Sequence, residues 1–393
     1  MPHKMRNQTL LSYLTLALIS IFSLAGCGGS SSGSSSPVSG STQTVAPAEF
    51  LVAADTLGRI VSLKVNLGDG TLGTPQAYHS NSFQPVPIFS NAIAVDSPGK
   101  FVFVADDEFE QGIFGFGVNQ TTGVLEELAW SPAKFSATAT TSAALAVDPK
   151  GRFLYLSDSF GIPTKIRSFT INQQSGIISA GAIISPPSSQ FTQATVDPAG
   201  KFLYVVDFGS GIPPNISAFA IDQSSGTLQS VPGSPFTTPD LPQSVAVHPS
   251  GKFLYTCLAR SSKGVVGFSV DATTGALTPI GGSPFASGNQ PSFMAINPSG
   301  RFAYIANIDG IYAYSINQTT GALTLISGSP FSGGWAQLLV DPSGKFLYNL
   351  NYNPGTVFAF SVDQNTGALS PVAGSPFITG FSGASQLAIV QVP

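Results

Sequence analysis

Short apolar runs recur along the chain at a nearly constant period, with turn residues between them. A run of the form Phe-x-Tyr, Phe-x-Phe or Phe-x-Val begins at Phe50, Phe101, Phe153, Phe202, Phe253, Phe302 and Phe346. A second marker is a glycine, mostly preceded by Thr, Ser or Asp and followed two residues on by Leu or Ile. It sits at Gly70, Gly123, Gly176, Gly226, Gly275, Gly321 and Gly367, with spacings of 53, 53, 50, 49, 46 and 46 residues. Both markers count to seven, and self-similarity at this period is the signature of a repeat architecture.

One unit, 243–285, reads as four short strands. Residues 244–247 form the first, and His248-Pro249-Ser250-Gly251-Lys252 makes the tight turn, where Pro fixes φ and Gly supplies the left-handed corner. Residues 253–258 and 265–270 are the second and third strands, and 272–275 is the next turn. Residues 277–280 are the last strand. The second strand is apolar on both faces, as a sheet sandwiched between two others requires. Four-stranded sheets repeated in this way are the blades of an all-β, seven-bladed propeller. Residue 50 starts directly at a second strand, and 385–390 has first-strand character with nothing after it. The C-terminal strand is therefore expected to complete the N-terminal blade and close the ring, which hides the sheet edges. The propeller is placed at 50–393.

The N-terminal pattern is different. Lys4 and Arg6 precede an apolar run from Leu10 to Ala25, and Leu24-Ala25-Gly26-Cys27 follows. The run is shorter than the roughly 20 residues of a spanning helix, so it reads as an export signal over 1–26. The four residues resemble a bacterial lipobox, which implies cleavage before Cys27 and acylation of its sulfur. Residues 27–49 are then the lipidated Cys and a Ser/Gly-rich tether. Gly28 after the Cys resembles outer-membrane sorting, so the expected location is the bacterial cell envelope, on the outer membrane, with the membrane itself as a partner through the anchor.

Composition narrows the function classes. Charged residues make up 9% of the chain, against about a quarter in an ordinary soluble domain. Removing the signal leaves 14 basic and 20 acidic side chains, so a nucleic-acid backbone would be repelled and no nucleic-acid partner is expected. Two cysteines cannot build a disulfide framework, and Cys257, within the apolar run 253–258, reads as a buried inert thiol.

The segments 148–156, 197–205 and 341–348, with Thr-Gly-Ala-Leu at 274–277, 320–323 and 366–369, resemble the seven-bladed lactonase-like propeller family. That family includes bacterial 6-phosphogluconolactonases and muconate-cycloisomerising propellers, and it grades into YVTN-type surface propellers. The resemblance spans about residues 50–393 and rests on turns and core strands. It implies a site at the upper mouth of the axial channel, opposite the Pro-Ser-Gly-Lys turns, with an Arg and a His in a Pro-Arg-His segment before the innermost strands. The corresponding positions here are 90–92, 142–144, 191–193, 242–244, 291–293 and 335–337. They contain neither Arg nor His, so the resemblance does not carry the activity across.

Of the three histidines, His3 leaves with the signal and His248 stands where other blades have Asp or Asn, as a substitute turn acceptor. His79, with Arg59 and Arg260 in upper loops, is what remains as a weak catalytic set. Asp106, Asp107, Glu108 and Glu110 crowd one upper loop and form a candidate Ca²⁺ site, although their spacing matches no calcium loop. No other cofactor is expected. Phe191, Phe293, Trp335 and Phe381 fall at or beside the starts of the innermost strands, with Gln243 and Gln337. Aromatic faces beside neutral hydrogen-bonding groups suit a sugar or a peptide. Trp335, Phe293, Gln243 and Gln337 are therefore the candidate ligand contacts. The expectation is a lipid-anchored binding module for a glycan, peptide or envelope protein. The alternative is a 6-phosphogluconolactonase-type hydrolase with an altered active site.

Overall fold

The computed structural model describes residues 47–392 except 56–58, 80–91, 106–111, 135–141, 159–163, 187–189, 209–212, 260–263, 335, 352–354 and 381–383. They form seven antiparallel sheets and no helix. Each sheet runs outward from an innermost strand, so blade five is Pro242–Val247, Phe253–Leu258, Val265–Val270 and Leu277–Pro279 in spatial as in chain order. Blade one is the exception. Its innermost strand is the C-terminal Ala384–Val392, paired antiparallel with Ala48–Asp55 over the whole length of the latter. The closing strand expected from the sequence is in place.

Seven apolar clusters hold the sheets, and each joins two neighbouring blades. One of them packs Leu51, Val61 and Leu387 of blade one against Tyr348, Leu350 and Val357 of blade seven, which closes the circle. Cys257 lies in the cluster between blades five and six, and burial pushes its thiol up to about 12.

The two sequence markers meet in space. The phenylalanine that opens each second strand lies against the marker glycine of the next blade: Phe50 on Gly123, Phe202 on Gly275, and Phe346 back on Gly70. Two residues after that phenylalanine, five blades carry a tyrosine. Its hydroxyl donates to the same glycine's carbonyl, as in Tyr204 to Gly275 (3.1 Å), Tyr255 to Gly321 (2.7 Å) and, across the closure, Tyr348 to Gly70 (3.1 Å). These tyrosines are buried, so the phenol must find a partner. Tyr348→Phe is expected to lower stability by about 1 kcal/mol, read from the denaturant midpoint, because it removes one buried hydrogen bond at the seam.

Five blades add a further device on the outer rim. The serine of a cis Ser-Pro pair accepts a hydrogen bond from a third-strand amide, for instance Ala218 N–H to Ser234 Oγ at 2.9 Å and Ala359 N–H to Ser375 Oγ at 2.9 Å. In blades two, four and seven the chain then returns as a fifth short strand on the third one, an addition to the four strands read from the sequence.

The lower turns are built as the sequence suggested. Asp96, Asp148, Asp197 and Asp341 each accept from the amide five residues on. His248 holds its own turn through Ser250 N–H to Nδ1 (3.1 Å) and also reaches the next blade, with Nε2 at 2.8 Å from the Gly300 carbonyl. Burial holds its pKa below the ordinary value.

Candidate functional site

The innermost strands converge on the axis, and their upper ends decide what lines the channel. Four of these ends carry a β-bulge, in blades one, three, four and five. Thr192 and Gln243 are extra residues opposite a single partner on the second strand. A bulge re-aims a side chain that regular pleating would place elsewhere. Around them lies a cavity of about 350 Å³, lined by Gln190, Thr192, Gln193, Gln243, Gln337 and Gln386, by Phe208 and Phe293, and by Ala92, Ile93, Ala144, Leu145 and Ala194. All seven blades reach it, and among the described residues that line it no side chain is ionisable.

The glutamines divide into two kinds. Gln337 is fully engaged, with Nε2 donating to the Leu387 carbonyl (3.0 Å) and Oε1 accepting from the Leu387 amide (2.5 Å), so it clamps blade seven to blade one. Gln193 is half engaged, its Oε1 accepting from Val245 N–H at 2.6 Å. The Thr192 hydroxyl donates to the Gln243 carbonyl at 3.2 Å. The carboxamides of Gln190, Gln243 and Gln386 make no hydrogen bond to another described residue and are half-buried at the cavity. They are the groups available to a ligand. Gln190 and Gln386 were not singled out in the sequence, where a Gln at a strand start carries no distinguishing signal.

The other sequence candidates lie elsewhere. Arg59 and His79 face each other in register on the third and outermost strands of blade one, away from the axial lining. The Arg59 guanidinium is held by Asp55, with Nε to Oδ2 at 2.6 Å, and its backbone amide donates to Oδ1 at 2.7 Å. Phe293 does line the cavity, whereas Phe191 is fully buried between blades three and four. A second described arginine lies near the upper ends of the strands with Arg59: Arg167, opposite Leu156, is 8% exposed within blade three. It was not singled out in the sequence, where it stands as one cation within the third strand Ile166–Ile171 and outside the repeated markers. Arg260, Trp335, Phe381, Cys27 and the acidic residues Asp106, Asp107, Glu108 and Glu110 lie outside the described residues. Among the described residues no group of three or more His, Cys, Asp or Glu is arranged to hold a metal ion.

Comparison with known proteins agrees with this architecture. Residues 93–233, 166–288 and 281–379 match the family model described as lactonase, 7-bladed beta-propeller. No curated protein matches the sequence. Among solved structures, a protein from Bacteroides uniformis named as a candidate 6-phosphogluconolactonase superposes with a TM-score of 0.72 at 18% identity, covering 88% of this chain and 99% of that one. The periplasmic gluconolactonase of Pseudomonas aeruginosa superposes at 0.69 and 16% identity, covering 88% and 100%. A protein from Lactobacillus plantarum gives 0.70 and 18%, again covering 88% and 100%.

Proposed function

The chain belongs to the lactonase, seven-bladed β-propeller family, and from that premise we propose that it is a lipid-anchored envelope protein that binds an uncharged, hydrogen-bonding ligand at its axial cavity. The observation that supports this reading is the lining itself. Free carboxamides of Gln190, Gln243 and Gln386 line the cavity together with Phe293 and Phe208, with no charged group among the described lining residues. Such a surface offers hydrogen bonds and a stacking face without demanding charge on the ligand, which suits a glycan or a peptide. Export and anchoring on Cys27 are supported by the N-terminal pattern of Lys4, Arg6, the apolar run and Leu24-Ala25-Gly26-Cys27.

A second reading, lactone hydrolysis, is favoured by the family match. A sugar lactone is itself an uncharged polyol of suitable chemistry, and glutamine N–H groups can stabilise an oxyanion. Ring opening also needs a base to activate water, and the described lining residues include none.

One experiment separates the two. The purified protein is titrated with envelope glycans and peptides and assayed against 6-phosphogluconolactone and simple lactones. The expected result is saturable binding without turnover, weakened about tenfold by Gln243→Ala, a loss of about 1.4 kcal/mol typical of one or two hydrogen bonds. Turnover well above background that falls with Gln243→Ala would replace the binding reading with the hydrolytic one.

A further inference from the structure

We infer that the axial cavity takes an N-acetylated sugar, with the acetamido group spanning from a carboxamide crescent to an apolar wall. The inference rests on the reading of this cavity as a binding site for uncharged ligands and names the ligand's chemistry. The lining is two-sided. Blades two and three contribute Ala92, Ile93, Ala144 and Leu145, whereas blades four, five and one contribute the free amides of Gln190, Gln243 and Gln386.

A sugar hydroxyl is satisfied by almost any polar group. A secondary amide is more demanding, since its N–H needs an acceptor while its C=O needs a donor. Each glutamine side chain carries both on adjacent atoms, so two neighbouring glutamines can serve the two ends of one ligand amide. The methyl group beyond the amide gains by leaving water. Ala92 and Ala144, the smallest side chains on the apolar wall, leave room for it there. The described lining residues carry no charge to pair with a phosphorylated or carboxylated sugar, which disfavours such ligands. A cavity of about 350 Å³ is at the small end for ligand sites, which run from roughly 300 to 1,000 Å³, and so is scaled to a sugar.

Calorimetric titration of the purified protein with tri-N-acetylchitotriose and with cellotriose tests this, because the two differ chiefly in the acetamido group. Chitotriose is expected to bind at least tenfold more tightly. Ala144→Val, which fills the methyl site, is expected to remove that preference while cellotriose binding persists. Since Ala144 is buried, its melting curve is compared with the parent's, and Gln243→Leu, at a half-buried position, provides a second variant in which the preference falls. Equal affinity for the two trisaccharides overturns the inference and leaves the binding reading standing. Binding of neither, with a peptide bound instead, overturns it as well. Failure of every uncharged ligand overturns both together.

Discussion

Gly275→Ala is expected to destabilise the propeller by about 3 kcal/mol or more, measured as the shift in denaturant midpoint, although the substitution adds only a methyl group. Two costs combine. Gly275 has φ of +77°, and an L-residue in that left-handed region costs about 1–2 kcal/mol. A Cβ there would also stand 2.5 Å from a ring carbon of Phe202, and forcing extra atoms into such a packed contact costs about 1–3 kcal/mol more. The ring cannot yield freely, because Phe202 is 5% exposed and Tyr204 beside it is hydrogen-bonded to the same glycine. Two other glycines separate the costs. At Gly251 φ is +71° and an added Cβ meets nothing within 4 Å, so its Ala variant should show the backbone cost alone. At Gly281 the space is equally open and φ is not positive, so its Ala variant should be close to neutral. A Gly275→Ala protein no less stable than Gly251→Ala would show that the phenylalanine–glycine contact is not what joins the blades.

That contact also explains why the fold is legible in the sequence. The Phe-x-Tyr and Thr-Gly-x-Leu markers are the two halves of one inter-blade joint, so each had to recur as often as there are blades. Local turn chemistry, such as Asp148 or Asp341 accepting from the start of the second strand, repeats with the same period. Ring closure was equally readable, because a chain that starts on a second strand leaves a place only its other end can fill.

The site has no such redundancy. Gln243 and Gln337 look alike as sequence, each a glutamine at the start of an innermost strand. One is the extra residue of a bulge and keeps its amide free, while the other reaches the backbone of Leu387 and is consumed there. That distinction depends on register between strands 12 to 50 residues apart, which no local pattern encodes. Arg59 illustrates the converse. A lone cation in an upper loop suggested chemistry, but Asp55 four residues before it closes the hairpin and holds the guanidinium.

The ring's seam also makes stability depend on pH, and Glu49→Gln should reveal it. Glu49 lies on the strand that pairs with the C-terminal one, opposite Gln391. It is 3% exposed, and its Oε2 has no hydrogen-bond partner. Burial, with a smaller contribution from the carboxyl of Asp341, raises its pKa from 4.5 to about 7. The sign follows from proton counting. Below pH 4.5 the folded and unfolded chains are both protonated at this site. Between 4.5 and about 7 the unfolded chain gives up the proton while the folded one keeps it, so stability falls as pH rises and levels off above 7. A shift of this size corresponds to about 3 kcal/mol. Asp96, also raised by burial, acts in the same direction. His248 acts in the opposite one, since its lowered pKa makes stability fall as pH drops below its unfolded value of 6.5. Comparing variant with parent at each pH cancels both. Glu49→Gln keeps the shape and cannot ionise, so the variant should match the parent near pH 4 and exceed it by about 2–3 kcal/mol at pH 8. A difference that stays constant across that range would mean Glu49 titrates as an ordinary carboxylate and that the seam carries no buried acid.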